Sequence, residues 1–359
     1  MSVFKIIECQ SLWNNILKDF ENADSYYSFE YGELFAEKEN GQLKAAYFEN
    51  DVGKIFYPFI EREIKNTENQ GLFDLVTPYG YGGPLLKGEN SLVYEFYRPF
   101  NQYCVDNNIV SEVIRFHPLY RNHQICTENM KVEYIRKTTA VDLSRPLEEI
   151  RESYSSLTKR NIVKGQRNNL SCIVAKKNPE NIQEFFKMYT ETMDRNGADE
   201  YYYFDVKQLM KQLTDTPQSK SYLLLAKSNN RTIAGVILFI GSEFAHYHLG
   251  GSYTEYLKLR PNNILFDYMI DFSKKQGVKL LHLGGGYQEG DGLFNFKSSF
   301  TNSNHFGYYI GKKIHNHTEY NNLLKNQNID SSKDSYFPLY RSKKVREKEI
   351  SKVVIPVGK

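Results

Sequence analysis

Three observations predict an α+β fold in two domains. The chain has 359 residues, well above the roughly 150 of a typical single domain. Hydrophobic residues at 40% and charged residues at 25% are ordinary for a globular chain and exclude a disordered, fibrous or collagen-like one. Short apolar runs joined by polar turns alternate with helical periodicity, and the strand, helix, strand order of the second half describes a βαβ unit attached to an antiparallel hairpin.

In the first domain, Leu12, Ile16 and Phe20 recur four residues apart and predict a helix over 11–20 opened by Ser11. Strands over 44–48 and 54–60 flank the turn Asn50-Asp51-Val52-Gly53, which makes a hairpin. A strand over 72–76, a helix over 91–107 and a strand over 111–116 follow, the last ended by His117-Pro118 because proline denies the ladder a donor. Near residue 145 the character changes. Leu147, Ile150, Tyr154 and Leu157 predict one amphipathic helix over 146–168, opened by Ser144 and Pro146. A strand over 172–175 and a helix over 181–195 come next. Two apolar strands, 222–227 and 232–240, flank Ser228-Asn229-Asn230-Arg231 as a second hairpin. Then come a strand over 244–249, a helix over 262–276 stopped by Gly277, a strand over 279–283, a short helix over 293–300 and a strand over 306–311. The stretch 312–359 is polar until Val353-Val354-Ile355-Pro356-Val357.

Charge and composition exclude several functions. A net charge of +3, from 46 Lys+Arg and 43 Asp+Glu, is too small for indiscriminate nucleic-acid binding, so any anion site is local. Cys9, Cys104, Cys126 and Cys172 form no CxxC clip and are expected as buried thiols. No apolar run approaches the roughly 20 residues of a membrane span, and no secretory signal is visible. A cytoplasmic protein is expected.

Arg160, Lys164 and Arg167 fall at i, i+4 and i+7, so one helix face carries three cations. Such a stripe is either a solvated face or a dock for phosphates. Leu283-Gly284-Gly285-Gly286 ends a strand without Walker or GxGxxG spacing, and is either a plain turn or a loop that lets backbone approach a ligand. Lys297 stands among Phe294, Phe296 and Phe300, where it either snorkels to water or is held desolvated and acts more strongly on an anion. His246 and His248 share one side of a strand, but no acidic or Cys partner has ligand spacing, so they read as ordinary strand histidines and no metal is expected. No GxSxG or triad-like Cys is present. Tyr79-Gly80-Tyr81-Gly82-Gly83-Pro84 is either a structural turn or the lining of a substrate cleft.

The basic helix Tyr154-Ser155-Ser156-Leu157-Thr158-Lys159-Arg160-Asn161-Ile162, the segment from Met188-Tyr189 through Met193-Asp194-Arg195, Leu283-Gly284-Gly285-Gly286 and Phe296-Lys297-Ser298-Ser299-Phe300 resemble a known pattern. It is that of the Fem peptidoglycan-bridge aminoacyltransferases and, equally, of the wider FemAB-like group in the GNAT superfamily. The resemblance covers 146–315 and, in the first domain, rests on 79–85 and 115–118. It implies tandem GNAT-like domains, each a mixed, mainly antiparallel sheet flanked by helices: 1–145 for the acceptor and 146–315 for transfer. The remaining tail, 316–359, either packs on the first domain or is partly loose. The resemblance also implies direct transfer of an acyl or aminoacyl group to an amine, without a metal, a covalent enzyme intermediate or a tightly bound cofactor. Aminoacyl-tRNA or acyl-CoA would be the co-substrate, and an envelope precursor the acceptor, with the tRNA acceptor end and the membrane face as further contacts.

By this resemblance Lys297 is the catalytic candidate. Arg160, Lys164, Arg167, Gly284, Gly285, Gly286 and Phe296 are expected to bind the donor, and Tyr79, Tyr81 and His117 the acceptor. Two features depart from the pattern. The glycine turn that GNAT enzymes wrap around the coenzyme A pyrophosphate reads Leu259-Arg260-Pro261-Asn262-Asn263 here, and His117 stands before Pro118 where many members have Asp. Two alternatives accompany this reading: an acyl-CoA-dependent N-acyltransferase acting on a surface-polysaccharide amino sugar or a secondary metabolite, and a non-catalytic GNAT scaffold.

Overall fold

The computed structural model describes residues 2–65, 71–327, 329 and 336–342. Along the chain run β1 (Val3–Ile7), α1 (Gln10–Leu17), α2 (Phe29–Glu39), β2 (Gly41–Asn50), β3 (Gly53–Glu63), β4 (Phe73–Val76), β5 (Leu85–Gly88), α3 (Leu92–Asp106), β6 (Ile109–Arg115) and β7 (Lys131–Asp142). There follow α4 (Leu147–Glu152), α5 (Ser156–Arg167), β8 (Ser171–Ala175), α6 (Pro179–Asn196), α7 (Val206–Gln212), β9 (Lys220–Ser228), β10 (Arg231–Ile240), β11 (Phe244–Ser252), α8 (Pro261–Lys275), β12 (Leu280–Gly285), α9 (Gly292–Ser298), β13 (His305–Ile314) and α10 (His317–Asn326). The chain forms two units, one drawn from 1–20, 35–134 and 309–359, the other from 21–34 and 135–308. These limits differ from the expected divisions at 145 and 315.

In the first unit the strand order is β1-β2-β3-β4-β6-β13, with β5 on β3. Its pairs are antiparallel except β4 with β6. The β2–β3 hairpin closes at Asn50 and Gly53, where the Asn50 side chain accepts from the Val52 amide at 2.9 Å and completes an Asx turn. Helix α3 lays Phe96, Tyr97 and Phe100 on Tyr57 and Phe59 of β3, all almost fully buried. Tyr320, Leu323 and Tyr340 pack with Ile64, Leu72 and Val110. Tyr340 also shares a 2.6 Å hydrogen bond with Ser111, so the described part of 316–359 belongs to this unit. The apolar run 353–357 lies outside the described residues.

In the second unit the order is β7-β12-β11-β10-β9-β8, and only β11 with β12 is parallel. The β9–β10 hairpin turns on Asn229 and Asn230, at φ of 47° and 65°, the left-handed pair that matches strand twist and that asparagine tolerates. Helix α8 puts Leu265, Phe266, Met269 and Ile270 on the sheet, and Gly277, at φ +83°, follows its end. Both units therefore have the mixed, mainly antiparallel α+β architecture expected.

Several local expectations are corrected. The single helix over 146–168 is two, α4 and α5, because the Ser155 hydroxyl accepts from the Thr158 amide and caps a fresh start. Cys9 is exposed, its thiol 3.0 Å from the Ser11 hydroxyl, whereas Cys104 and Cys126 are buried. In α1 the buried residues are Trp13, Ile16 and Leu17, and Leu12 faces solvent. Strands β1, β5 and β7 and helices α2, α7 and α10 had no sequence signal strong enough to place them. Among the described residues, no helix is long and apolar enough to cross a membrane.

Candidate functional site

The second unit's one parallel strand pair is short. Strands β11 and β12 pair over Phe244–Leu280, Ala245–Leu281 and His246–His282, and there the pairing ends. Beyond it, β12 shifts register and runs on against β7, with Gly284 opposite Thr139 and Gly285 opposite Thr138. Strand β11 is displaced as well, since Ile237 of β10 faces Leu249 while Leu238 faces Tyr247, which leaves His248 as an inserted bulge residue. Two parallel strands thus part at their C-terminal ends, the place where open α/β sheets receive ligands.

Each glycine of 284–286 meets a different demand. Gly284 has φ +76°, the left-handed conformation that favours glycine. A Cβ on Gly285 would lie 2.7 Å from the Lys137 carbonyl oxygen, and one on Gly286 would overlap the Asp291 carboxylate. That carboxylate accepts from the amides of Tyr287 at 2.6 Å, Gln288 at 3.0 Å and Phe294 at 2.8 Å. Burial pushes the Asp291 carboxyl up, but these amides offset it and hold the group below its usual range. The loop amides of 287 and 288 are consequently committed to Asp291, which also caps α9. Arg136 donates to the Tyr287 carbonyl at 3.1 Å, and the Lys137 amide donates to Glu289 at 2.8 Å, tying the loop to β7.

Helix α9 carries Lys297 into this place. Its side chain does not snorkel: the residue is only 6% exposed. The Nζ donates to the Gly285 carbonyl at 2.8 Å and sits 5.0 Å from the centre of the Tyr247 ring. One contact comes from β12 and the other from β11, so the ammonium spans the point where the strands part. Burial lowers its pKa to about 7, with Asp291 opposing and Arg136 adding to the fall. Among the described residues no carboxylate forms an ion pair with it. Among the described residues the Gly285 carbonyl is its one hydrogen-bond partner, which leaves donors able to meet an anion or a carbonyl oxygen.

The other expected donor residues fall into two groups. Phe296 is partly buried against Phe266 and Phe300, with ring centres 5.0 and 5.5 Å away, and anchors α9 in the core. Arg160, Lys164 and Arg167 lie exposed along α5, the opposite side from the buried Thr158, Ile162 and Gly165. They form no ion pair among the described residues. Helix α5 is tied to the end of α9 by the Ser155 amide on the Ser299 carbonyl at 2.9 Å and by the Thr158 and Ser299 hydroxyls at 2.6 Å. The cationic helix and the helix bearing Lys297 thus form one hydrogen-bonded block.

In the first unit, Tyr81 and His117 meet with ring centres 5.6 Å apart, whereas Tyr79 stacks on Phe35 at 5.2 Å. His117 is buried, and its Nδ1 accepts from the Tyr120 amide at 3.3 Å. Asn122 clamps this turn, donating to the Gly82 and Pro84 carbonyls at 2.9 and 3.2 Å and accepting from the His117 amide at 3.0 Å. The strand histidines of the second unit have protein partners: His246 pairs with Asp24 at 2.8 Å and His248 with Gln212 at 2.5 Å.

Sequence reasoning missed Tyr247 and the glycines beside it. A Cβ on Gly251 would stand 2.6 Å from the Tyr189 amide nitrogen, so α6 packs directly on the β11 backbone. The available signal was Gly250-Gly251 inside an otherwise apolar strand, which marks close backbone approach.

Residues 157–298 match the family described as the Acetyltransferase (GNAT) domain. Among solved structures, FemX is similar over 88% of this chain and 99% of its own, with a TM-score of 0.65 and 11% identity. L-PGS from Bacillus licheniformis matches over 85% of this chain and 92% of its own, at a TM-score of 0.57 and 12% identity. The C-terminal domain of a putative lysylphosphatidylglycerol synthetase from Agrobacterium fabrum matches over 87% and 94%, at 0.54 and 11%. At these identities the likeness is one of fold. No curated protein matches the sequence significantly. The parted parallel strands, the GNAT match that contains them and the shared fold lead to one conclusion: the chain is an acyltransferase that carries a GNAT-type domain at 157–298 within a fold like that of FemX.

Proposed function

We propose that this acyltransferase moves an aminoacyl or acyl group from an activated ester or thioester to an amine of a cell-envelope precursor, with Lys297 as the group that meets the developing oxyanion. The observation that carries this reading is a buried ammonium that, among the described residues, has the Gly285 carbonyl as its one hydrogen-bond partner and no carboxylate partner, where β11 and β12 part. In such a step the lone pair of the acceptor nitrogen forms a bond to the donor carbonyl carbon, and the C=O π pair collects on the carbonyl oxygen as the oxyanion. The C–O or C–S bond then breaks, the leaving oxygen or sulfur takes up a proton, and the new amide nitrogen has lost one. Positioning the donor and stabilising the oxyanion would supply the rate. Arg160, Lys164 and Arg167 would hold the donor's phosphates, and Tyr79, Tyr81 and His117 the acceptor.

The start of α8 favours a charged tRNA over acyl-CoA as donor. Arg260 takes the left-handed conformation at φ +66°, and Pro261 opens the helix, so this turn lacks both the glycines and one of the amides that cradle a pyrophosphate. The test is mass spectrometry of envelope precursors and amino sugars incubated with enzyme and either aminoacyl-tRNA or acetyl-CoA. An aminoacylated precursor formed only with charged tRNA is expected. Acetylated amino sugar would move the assignment to the acyl-CoA reading, and binding without product under either donor would refute transfer.

A further inference from the structure

We propose that Tyr247 and Gly250 form the positioning device for Lys297: Gly250 leaves the space that the Tyr247 hydroxyl fills, and the ring so placed holds the ammonium at the Gly285 carbonyl. In a regular strand, residues three apart point to opposite faces. The extra residue His248 in the β10–β11 pairing shifts that alternation and brings 247 and 250 to one face. A Cβ on Gly250 would overlap the Tyr247 hydroxyl and approach Cζ to 2.9 Å, so the ring lies along its own strand over a position kept bare. Its π face then stands 5.0 Å from Nζ of Lys297. This favours the charged amine, by cation–π attraction, in a site where burial disfavours it. The other charged groups acting on Lys297 are Asp291, before α9, which supports the ammonium, and Arg136 of β7, which opposes it. Tyr287 acts on Tyr247 itself.

This inference rests on the reading of Lys297 as the functional group, so its test must not depend on turnover alone. In full-length enzyme labelled with isotopic lysine, the Lys297 resonance, assigned by its loss in Lys297→Met, is titrated by NMR. Tyr247→Leu and Gly250→Ala should each move the midpoint down by about half to one pH unit. Tyr247→Phe, which keeps the ring and removes the crowded hydroxyl, should leave it in place and, combined with Gly250→Ala, restore it. The ratio kcat/KM should follow the same order, falling about tenfold in Gly250→Ala and returning in the double variant. A midpoint unmoved in Gly250→Ala, or a double variant that is not rescued, overturns the proposal. Should Tyr247→Leu fail to fold, the Gly250→Ala and Tyr247→Phe pair decides alone. A titration that shifts as described in an enzyme lacking any transfer activity would support the positioning device and refute only the functional reading.

Discussion

At the scale of single residues, burial of titratable groups makes stability depend on pH. Lys297 titrates at about 7 when folded and near 10.4 when unfolded. Below about 7 both states are charged and the full cost of burying the ammonium is felt. Between about 7 and 10.4 that cost fades, at about 1.4 kcal/mol per pH unit at most. Wild-type stability should therefore rise over this window, and Lys297→Met should be at least as stable at pH 6.5 while lacking that rise. Urea melts at several pH values check this, and parallel curves for the two proteins would contradict it. His248 acts in the same sense. Burial, with His246 adding to it, lowers its pKa to about 3, so the unfolded chain gains a proton first and stability falls from about pH 6.5 downward. His248→Gln should flatten that acid limb in the same melts. The motif marked Lys297 as a candidate, but its choice between snorkelling and burial was not legible. That choice depends on Tyr247 and Gly285, 50 and 12 positions away.

At the scale of elements, hairpins and helix ends were legible where local chemistry sets them. The two Asn residues at 229 and 230 force the β9–β10 turn, and Gly277 marks the end of α8. The break between α4 and α5 was hidden because apolar spacing continues across it, while the decisive signal, Ser155 as a cap, is a single hydroxyl. Strand β7 was missed because its first half, with Lys131, Glu133, Arg136 and Lys137, reads as polar, although 138–141 are buried. One close approach and one exposed helix face give two predictions. Gly251→Ala should cost about 1–3 kcal/mol in chemical denaturation, because its Cβ would press on the backbone of α6 rather than on a mobile side chain; a change under about 0.5 kcal/mol would contradict it. Replacing Arg160, Lys164 and Arg167 together by Gln should leave stability within about 0.5 kcal/mol. It should raise donor KM about tenfold or more and reduce its salt dependence, as steady-state kinetics at two ionic strengths would reveal. An unaltered KM would make the stripe a solvated face.

At the scale of the whole molecule, the α+β class and the mainly antiparallel sheets followed from hairpin signals, since hairpin partners are neighbours in sequence. Of the parallel pairs, β11–β12 was legible as a strand, helix, strand unit, whereas β4–β6 was not. The β11–β12 pair joins residues 36 apart through a helix, and its early end at His246 and His282 is fixed by a bulge and a register shift that leave no periodic trace. The division of the chain was obscured similarly, because 21–34 and 309–359 each join the unit that their nearest sequence neighbours do not suggest. The central claim is that an unneutralised cation in the gap between two parting strands drives acyl transfer. Single-turnover transfer from a saturating donor, measured for wild type and Lys297→Met at equal folded concentration, tests it most directly. A loss of about 100-fold or more in a variant at least as stable as wild type at pH 6.5 is predicted, and a folded Lys297→Met enzyme that transfers at the wild-type rate would contradict it.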